Sequence, residues 1–313
     1  MRPELTRASE LLRNNSPEAV AEAIGLLQNT VFSFSMKMCG HREDAEDTTQ
    51  EVLFRSLKHL HKLQEPAALA AWLYTVTRNR CRRMRGAAAE LPERRFSLDE
   101  LMPDAAELGR LLLDPGNTPE GKLIESEEHR LLHRALLRIP APLRLVLVLH
   151  DMEELETGLV ARILGLQAGT VRVRLHRARL ALRSEMATLL PHERSGRSPA
   201  HSRRSPQKKS AKNARKTDQS ASRPPECREL FASLSEYLDG KMEPESCEKM
   251  RAHIESCPAC IAFLRDLRAA IDRCRSMNTA CDPAVTERLQ TMLTREYLRM
   301  IGKADALEGP RGR

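Results

Sequence analysis

Ile139–Met186, IPAPLRLVLVLHDMEELETGLVARILGLQAGTVRVRLHRARLALRSEM, carries two apolar stripes at helical spacing with a glycine between them. Leu159, Val160, Ile163 and Leu164 make the first stripe, and Val171, Leu175, Ala178 and Leu182 make the second. Gly165 can take a positive φ and end the first helix, and the second begins near Gly169 and Thr170. Two short helices joined by such a turn form a helix-turn-helix pattern. Away from its apolar stripe the second helix carries Thr170, Arg172, Arg174, His176, Arg177, Arg179 and Arg183. A helix that is apolar inside and cationic outside suits the DNA major groove, where arginines reach phosphates and guanine edges. A solvated cationic helix is the plainer alternative, and the preceding helix and turn weigh for DNA.

The rest of the 313 residues is equally helical in character. Aromatic residues are 3% of the chain against 41% hydrophobic residues overall, and leucine and alanine dominate, which favours an all-α fold of two or three domains. A net charge of +8 points to a polyanionic partner. No apolar run approaches the roughly 20 residues that span a bilayer, and MRPELTRASE lacks the apolar core of a signal peptide, so no membrane and a cytoplasmic location are expected. Six of the eight cysteines lie beyond residue 226, a clustering that asks for metal or thiol chemistry rather than structural disulfides. No paired carboxylates, nucleophile constellation or phosphate loop stands out, so an enzyme is not expected.

Upstream, Val20, Ile24, Leu27, Val31 and Phe34 share one helix face between the Ser16-Pro17 start and Gly40. The next helix, REDAEDTTQEVLFRSLKHLHKL, is acidic at its start and basic at its end, complementing the helix dipole. A third, Ala67 to Arg85, has Trp72, Leu73 and Val76 on its apolar side and a cationic end with Arg78, Arg80, Arg82, Arg83 and Arg85. Trp72 reads as core rather than as a base-stacking surface, although it and Tyr74 are both eligible for stacking.

These segments resemble extracytoplasmic-function sigma factors of the sigma-70 family. DAEDTTQEVLFRSL and WLYTVTRNRCRRMR are similar to region 2, and LLHRALLRIPAPLRLVLVLHDMEEL with ARILGLQAGTVRVRLHRARLALR is similar to region 4, in the family's order. The resemblance implies that Asp44, Asp47, Gln50, Glu51 and Arg55 face RNA polymerase. It implies that Arg78, Asn79, Arg80, Arg82 and Arg83 act at the −10 element, and that the helix from Thr170 to Arg179 acts at the −35 element. Two departures from the family pattern, Gly158-Leu159-Val160 in place of an acidic pair and Val173 in place of a frequent serine, leave the promoter preference open.

From Pro191 to Glu226 the chain has no Leu, Ile, Val, Met, Phe, Tyr or Trp, and ten basic residues against three acidic ones, so it reads as a disordered tether. Helical patterning resumes with Leu230, Leu234 and Leu238 before Gly240, then a helix from Pro244 into His253 and Cys257, then a third opening at Pro258. His253 and Cys257 share a face and Cys260 returns from the next helix, a zinc-like set with Cys227 favoured as fourth ligand over Cys247; a CPAC dithiol is the alternative. The pattern of cysteines around LSEYLDGKM resembles zinc-binding anti-sigma domains, which implies an inhibitory module fused to its target. The sequence assigns no role to Cys274 or Cys281. An amphipathic segment from Val285 to Ile301 either docks onto the sigma domains or completes the small domain.

The expected organisation is region 2 at 10–88, a linker at 89–119, region 4 at 120–190, the tether at 191–226, a zinc-binding module at 227–280, and a helix and tail at 281–313. The expected function is promoter-directed transcription initiation with core RNA polymerase and promoter DNA as partners, restrained by an intramolecular contact of the C-terminal module. The competing expectation is a stand-alone metal- or redox-sensing repressor, in which the N-terminal helices have no duty.

Overall fold

Ser16 accepts a hydrogen bond from the Ala19 backbone N–H at 3.2 Å, Pro17 occupies the first turn, and Gly40 closes the far end at φ 82°: the signals bounding the second helix act as the sequence suggests. The computed structural model describes residues 1–14, 16–85, 125–189, 233–277, 279 and 281–302. The linker 89–119, the tether 191–226, Cys227 and the final tail lie outside the described residues.

The N-terminal bundle is α1 (Pro3–Asn14), α2 (Pro17–Cys39), α3 (Arg42–Leu60) and α4 (Pro66–Arg85). Helix α1 was not anticipated. It buries Leu5, Ala8, Leu11 and Leu12 against α2 and so belongs to the bundle rather than preceding it.

The second unit is α5 (Glu125–Arg138), α6 (Ala141–Leu147), a π-helical turn (Val148–Met152), α7 (Thr157–Leu164) and α8 (Ala168–Leu189). Gly165, at φ 65°, ends α7 and starts the turn into α8, and Val171, Leu175, Ala178 and Leu182 are buried as their spacing requires. The π turn was not legible in advance. It is followed by Glu154 at φ 55°, the one non-glycine residue in the left-handed region among those described.

The third unit contains a helical turn over 233–238, then α9 (Pro244–Ser256), α10 (Pro258–Ser276) and α11 (Pro283–Met300). Helix α10 packs on α8 and the π turn, whereas α11 lies across α2 and α3. Gly25 in the middle of α2 makes room for this: a β-carbon there would come within 3.1 Å of Gln290, whose side-chain amide donates to the Ala21 carbonyl. A glycine inside a helix costs roughly 0.5–1 kcal/mol relative to alanine, and the close approach of α11 gives that cost a purpose.

One apolar core runs through all three units. Among the described residues no helix is long and apolar enough to cross a membrane.

Candidate nucleic-acid interface and metal centre

The first three turns of α8 leave Thr170, Arg172, Val173 and Arg177 exposed and Arg174 half-buried, because Val171 and Leu175 turn inward. The N-terminal part of a recognition helix is the part that meets base edges, and these side chains are the ones left accessible on the face where the sequence leads one to expect a duplex.

Arg179 and His176 do not belong to that face in this arrangement. Arg179 is buried and bidentate to Asp151 at 2.6 and 2.7 Å, with a third contact to Asp239 at 2.7 Å. Burial alone would raise the Asp151 pKa, but hydrogen bonds from Arg179 and His150 bring it down to about 2. The pair therefore stays ionised and pins α8 to the π turn. His176 is buried under the C-terminal unit, 3.1 Å from the Ser235 hydroxyl. Desolvation, with Arg179 and Arg177 adding repulsion, pushes its pKa down to about 4. Arg183 is likewise enclosed, 2.8 Å from Asp266 and over the Phe263 ring at 4.6 Å. Helical spacing alone placed these three on the outer face; the third unit, arriving from far along the chain, covers His176 and Arg183, and covers Arg179 together with Asp151 of the π turn.

On α4, Asn79, Arg82 and Arg83 are exposed, but Arg80 pairs with Glu51 of α3 at 2.6 Å and Arg78 donates to the Ile163 carbonyl of α7. The end of α4 expected at the −10 element thus abuts the helix-turn-helix. Tyr74 is excluded from base stacking here: its ring packs on Phe34 and its hydroxyl donates to Glu153 at 2.8 Å. Trp72 is half-buried with its ring 4.2 Å from that of His59.

Glu153 joins the two sigma-like units. Its carboxylate, 1% exposed, accepts from Lys37 of α2 at 2.7 Å and from Tyr74 of α4, and lies 3.3 Å from the Arg2 guanidinium. Burial lowers the Lys37 pKa, and Glu153 beside it works the other way. Arg2 also donates to the Met152 carbonyl at 2.8 Å. The sequence reading missed Glu153 and Lys37, and only the run of acids after the π turn hinted at them.

On α3, Asp47, Gln50 and Arg55 are exposed, Asp44 and Glu51 are half-buried, and Glu51 bridges Arg55 and Arg80. Phe54, 53% exposed on the same helix, was not singled out. It lines a groove with Arg288, Met292 and Arg295 of α11, so the C-terminal helix borders the surface expected to meet polymerase.

Where α9 meets α10, the ligand atoms of His253, Cys257 and Cys260 lie within 4.8 Å of one another, with His253 Nε2 3.3 Å from Cys260 Sγ. Bonds of about 2.0–2.3 Å to a tetrahedral zinc imply ligand separations of roughly 3.3–3.8 Å; the His253–Cys260 pair already stands at that spacing, and the three donors together are compatible with zinc. Cys247 is not in the cluster. Cys274 is fully buried, and desolvation raises its pKa well above the thiol range; Cys281 packs with Phe32 and Ala45. Both are core residues.

Family models for "Sigma-70 region 2" match residues 24–89, for "Sigma-70, region 4" residues 129–182, and for "Putative zinc-finger" residues 227–260. The chain is 29% identical over 170 residues to the "Probable RNA polymerase sigma factor RfaY" of Xanthomonas campestris pv. campestris, covering 54% of this chain and 40% of that protein. It is 23% identical over 182 residues to the "ECF RNA polymerase sigma factor SigW" of Bacillus subtilis, covering 57% of this chain and 94% of that one. It is 30% identical over 158 residues to the "ECF RNA polymerase sigma factor SigE" of Mycolicibacterium smegmatis, covering 50% and 57% respectively. A stand-alone repressor would leave the region 2 match without a purpose. The chain carries sigma-70 region 2 and region 4 modules followed by a zinc-finger module, and over the two sigma regions it is similar to extracytoplasmic-function sigma factors.

Proposed function

We propose that the protein directs core RNA polymerase to a class of promoters and that its C-terminal module holds it in a closed, inactive form. The observation that carries this reading is the direct packing of the helix-turn-helix unit on the N-terminal bundle, with the end of α4 against α7 and Glu153 bound by Lys37 and Tyr74. Elements named −10 and −35 are about 25 base pairs apart, roughly 85 Å at 3.4 Å per pair. Two units in contact cannot occupy both. Opening is therefore required for promoter engagement, and whatever stabilises contact restrains activity.

The third unit grips both sigma units: α10 holds α8 through Asp266 and Phe263, Asp239 after the 233–238 turn holds Arg179, and α11 lies on α2 and α3 beside Phe54. In this reading α11 competes with polymerase for the α3 face, where Asp47, Gln50 and Arg55 are presented. Arg82, Arg83 and Asn79 meet the opened strand, and Thr170, Arg172, Arg174 and Arg177 meet the upstream duplex.

His253, Cys257 and Cys260 hold zinc, with Cys227 as the fourth ligand. The ion supplies a closed structural crosslink between α9 and α10. His253 lies in the last turn of α9, Cys257 caps α10 and Cys260 lies in its first turn, so the set of the helix that carries Phe263 and Asp266 depends on them. Loss of the metal loosens α10 and with it the closed form.

The test is co-purification of the full chain with core polymerase, followed by transcription of a genomic promoter pool with and without a zinc chelator. The reading requires association and new start sites, both increased by the chelator. Absence of association and of new start sites under both conditions would refute it.

A further inference from the structure

Val173 is the most exposed large hydrophobic side chain among the described residues, 54% accessible, and it stands in the middle of the cationic face of α8. It is the sixth residue of that helix, within the two turns that enter the groove. Thr170 and Arg177 lie three residues before and four residues after it on the same stripe, and Arg174 is adjacent. None of the residues enclosing Arg179, His176 and Arg183 reaches this stripe, so Val173 stays open even while the C-terminal unit is docked.

A valine in that place offers no hydrogen-bond donor or acceptor to a base edge. The major groove presents one apolar group, the C5 methyl of thymine, and it is the only base feature that two valine methyls can recognise by contact. Arg174 and Arg177 on either side supply attachment to phosphates or guanine edges, which fixes the depth at which the valine sits.

We infer that Val173 is a specificity-determining residue that reads the C5 methyl of a thymine in the upstream promoter element. The inference rests on the sigma-factor reading and deepens it: the preferred element contains a thymine, on either strand, at the base step facing Val173. A cytosine there has no methyl at C5, and a purine presents polar acceptors to an apolar side chain.

The experiment enriches upstream sequences from a randomised duplex library with the full chain bound to core polymerase, then replaces each thymine of the winning sequence singly by deoxyuridine, which removes only the methyl. The expected result is one position where deoxyuridine weakens binding by about four-fold, the worth of one buried methyl-sized group. In Val173→Ser that position becomes insensitive to deoxyuridine, and Val173→Thr, which keeps one methyl, retains part of the sensitivity. Because the side chain is exposed, these variants keep the fold, checked by an unchanged helical circular dichroism signal. Enrichment of a sequence with no deoxyuridine-sensitive thymine overturns the inference and leaves the sigma reading standing, as does a Val173→Ser variant with undiminished sensitivity. Failure to enrich any sequence counts against the sigma reading and removes this inference with it.

Discussion

Replacing Glu153 by glutamine removes the charge that holds the two sigma units together while keeping the side chain's size. Lys37 is 0% exposed and 2.7 Å from Glu153, so the variant leaves a buried ammonium without its counter-ion. Breaking a buried pair by removing one partner costs about 3–5 kcal/mol. Lys37 can limit the damage by losing its proton. From its ordinary value of 10.5, neutralisation at pH 7 costs at most about 5 kcal/mol, and less because burial already lowers its pKa. The loss falls on the closed arrangement, because Glu153 lies in the second unit and Lys37, Tyr74 and Arg2 lie in the first; apart, each is hydrated. At the lower figure the closed-to-open ratio drops by about two orders of magnitude. Small-angle scattering reports the increase in dimensions, and hydrogen exchange reports deprotection of the α4 and α7 contact. Lys37→Met combined with Glu153→Gln removes both charges and recovers much of the closed population, since an apolar replacement of a buried pair is nearly neutral. Unchanged scattering and exchange in Glu153→Gln, or additive effects of the two substitutions, would refute the reasoning.

Gly25→Leu fills the space used by Gln290 and should displace α11 without touching α3; its exchange protection falls while that of α5 to α8 holds, and unaltered α11 protection would contradict the packing. Cys257→Ser and Cys260→Ser should each abolish stoichiometric zinc, measured by elemental analysis of reduced protein. His176 gives a pH dependence: its docked pKa, about 4, lies below the free value of 6.5, so its contribution to docking is complete above pH 6.5 and is lost as pH falls toward 4. Over that whole window the loss is at most roughly 3 kcal/mol, because the repulsion from Arg179 and Arg177 on the same helix persists in the undocked state. Hydrogen exchange of α10 between pH 7 and 5 should show loosening in the wild type and a flatter response in His176→Gln.

The helix-turn-helix was legible because local periodicity, Gly165 and the GTV opening all act over a few residues, and the same is true of Ser16, Pro17 and Gly40. The His253, Cys257 and Cys260 cluster followed from spacing on one helix and the start of the next. What the sequence hid was set by contacts between distant segments. Arg179 and Arg172 look alike in a helical projection, yet one is bound to Asp151 and Asp239 and the other faces water. Lys37 reads as a solvated lysine until Glu153, more than a hundred residues later, is brought beside it. Helix α1 was overlooked because PELTRASELLRN is short and rich in charge, and its apolar side is visible only against α2.

The central claim is that a sigma factor is restrained by its own C-terminal module, and the most direct measurement is transcription by core polymerase at a promoter the protein selects, with the full chain and with residues 227–313 deleted. The account predicts initiation by both, with the shortened chain more active at equal concentration. Equal or lower activity of the shortened chain would contradict it.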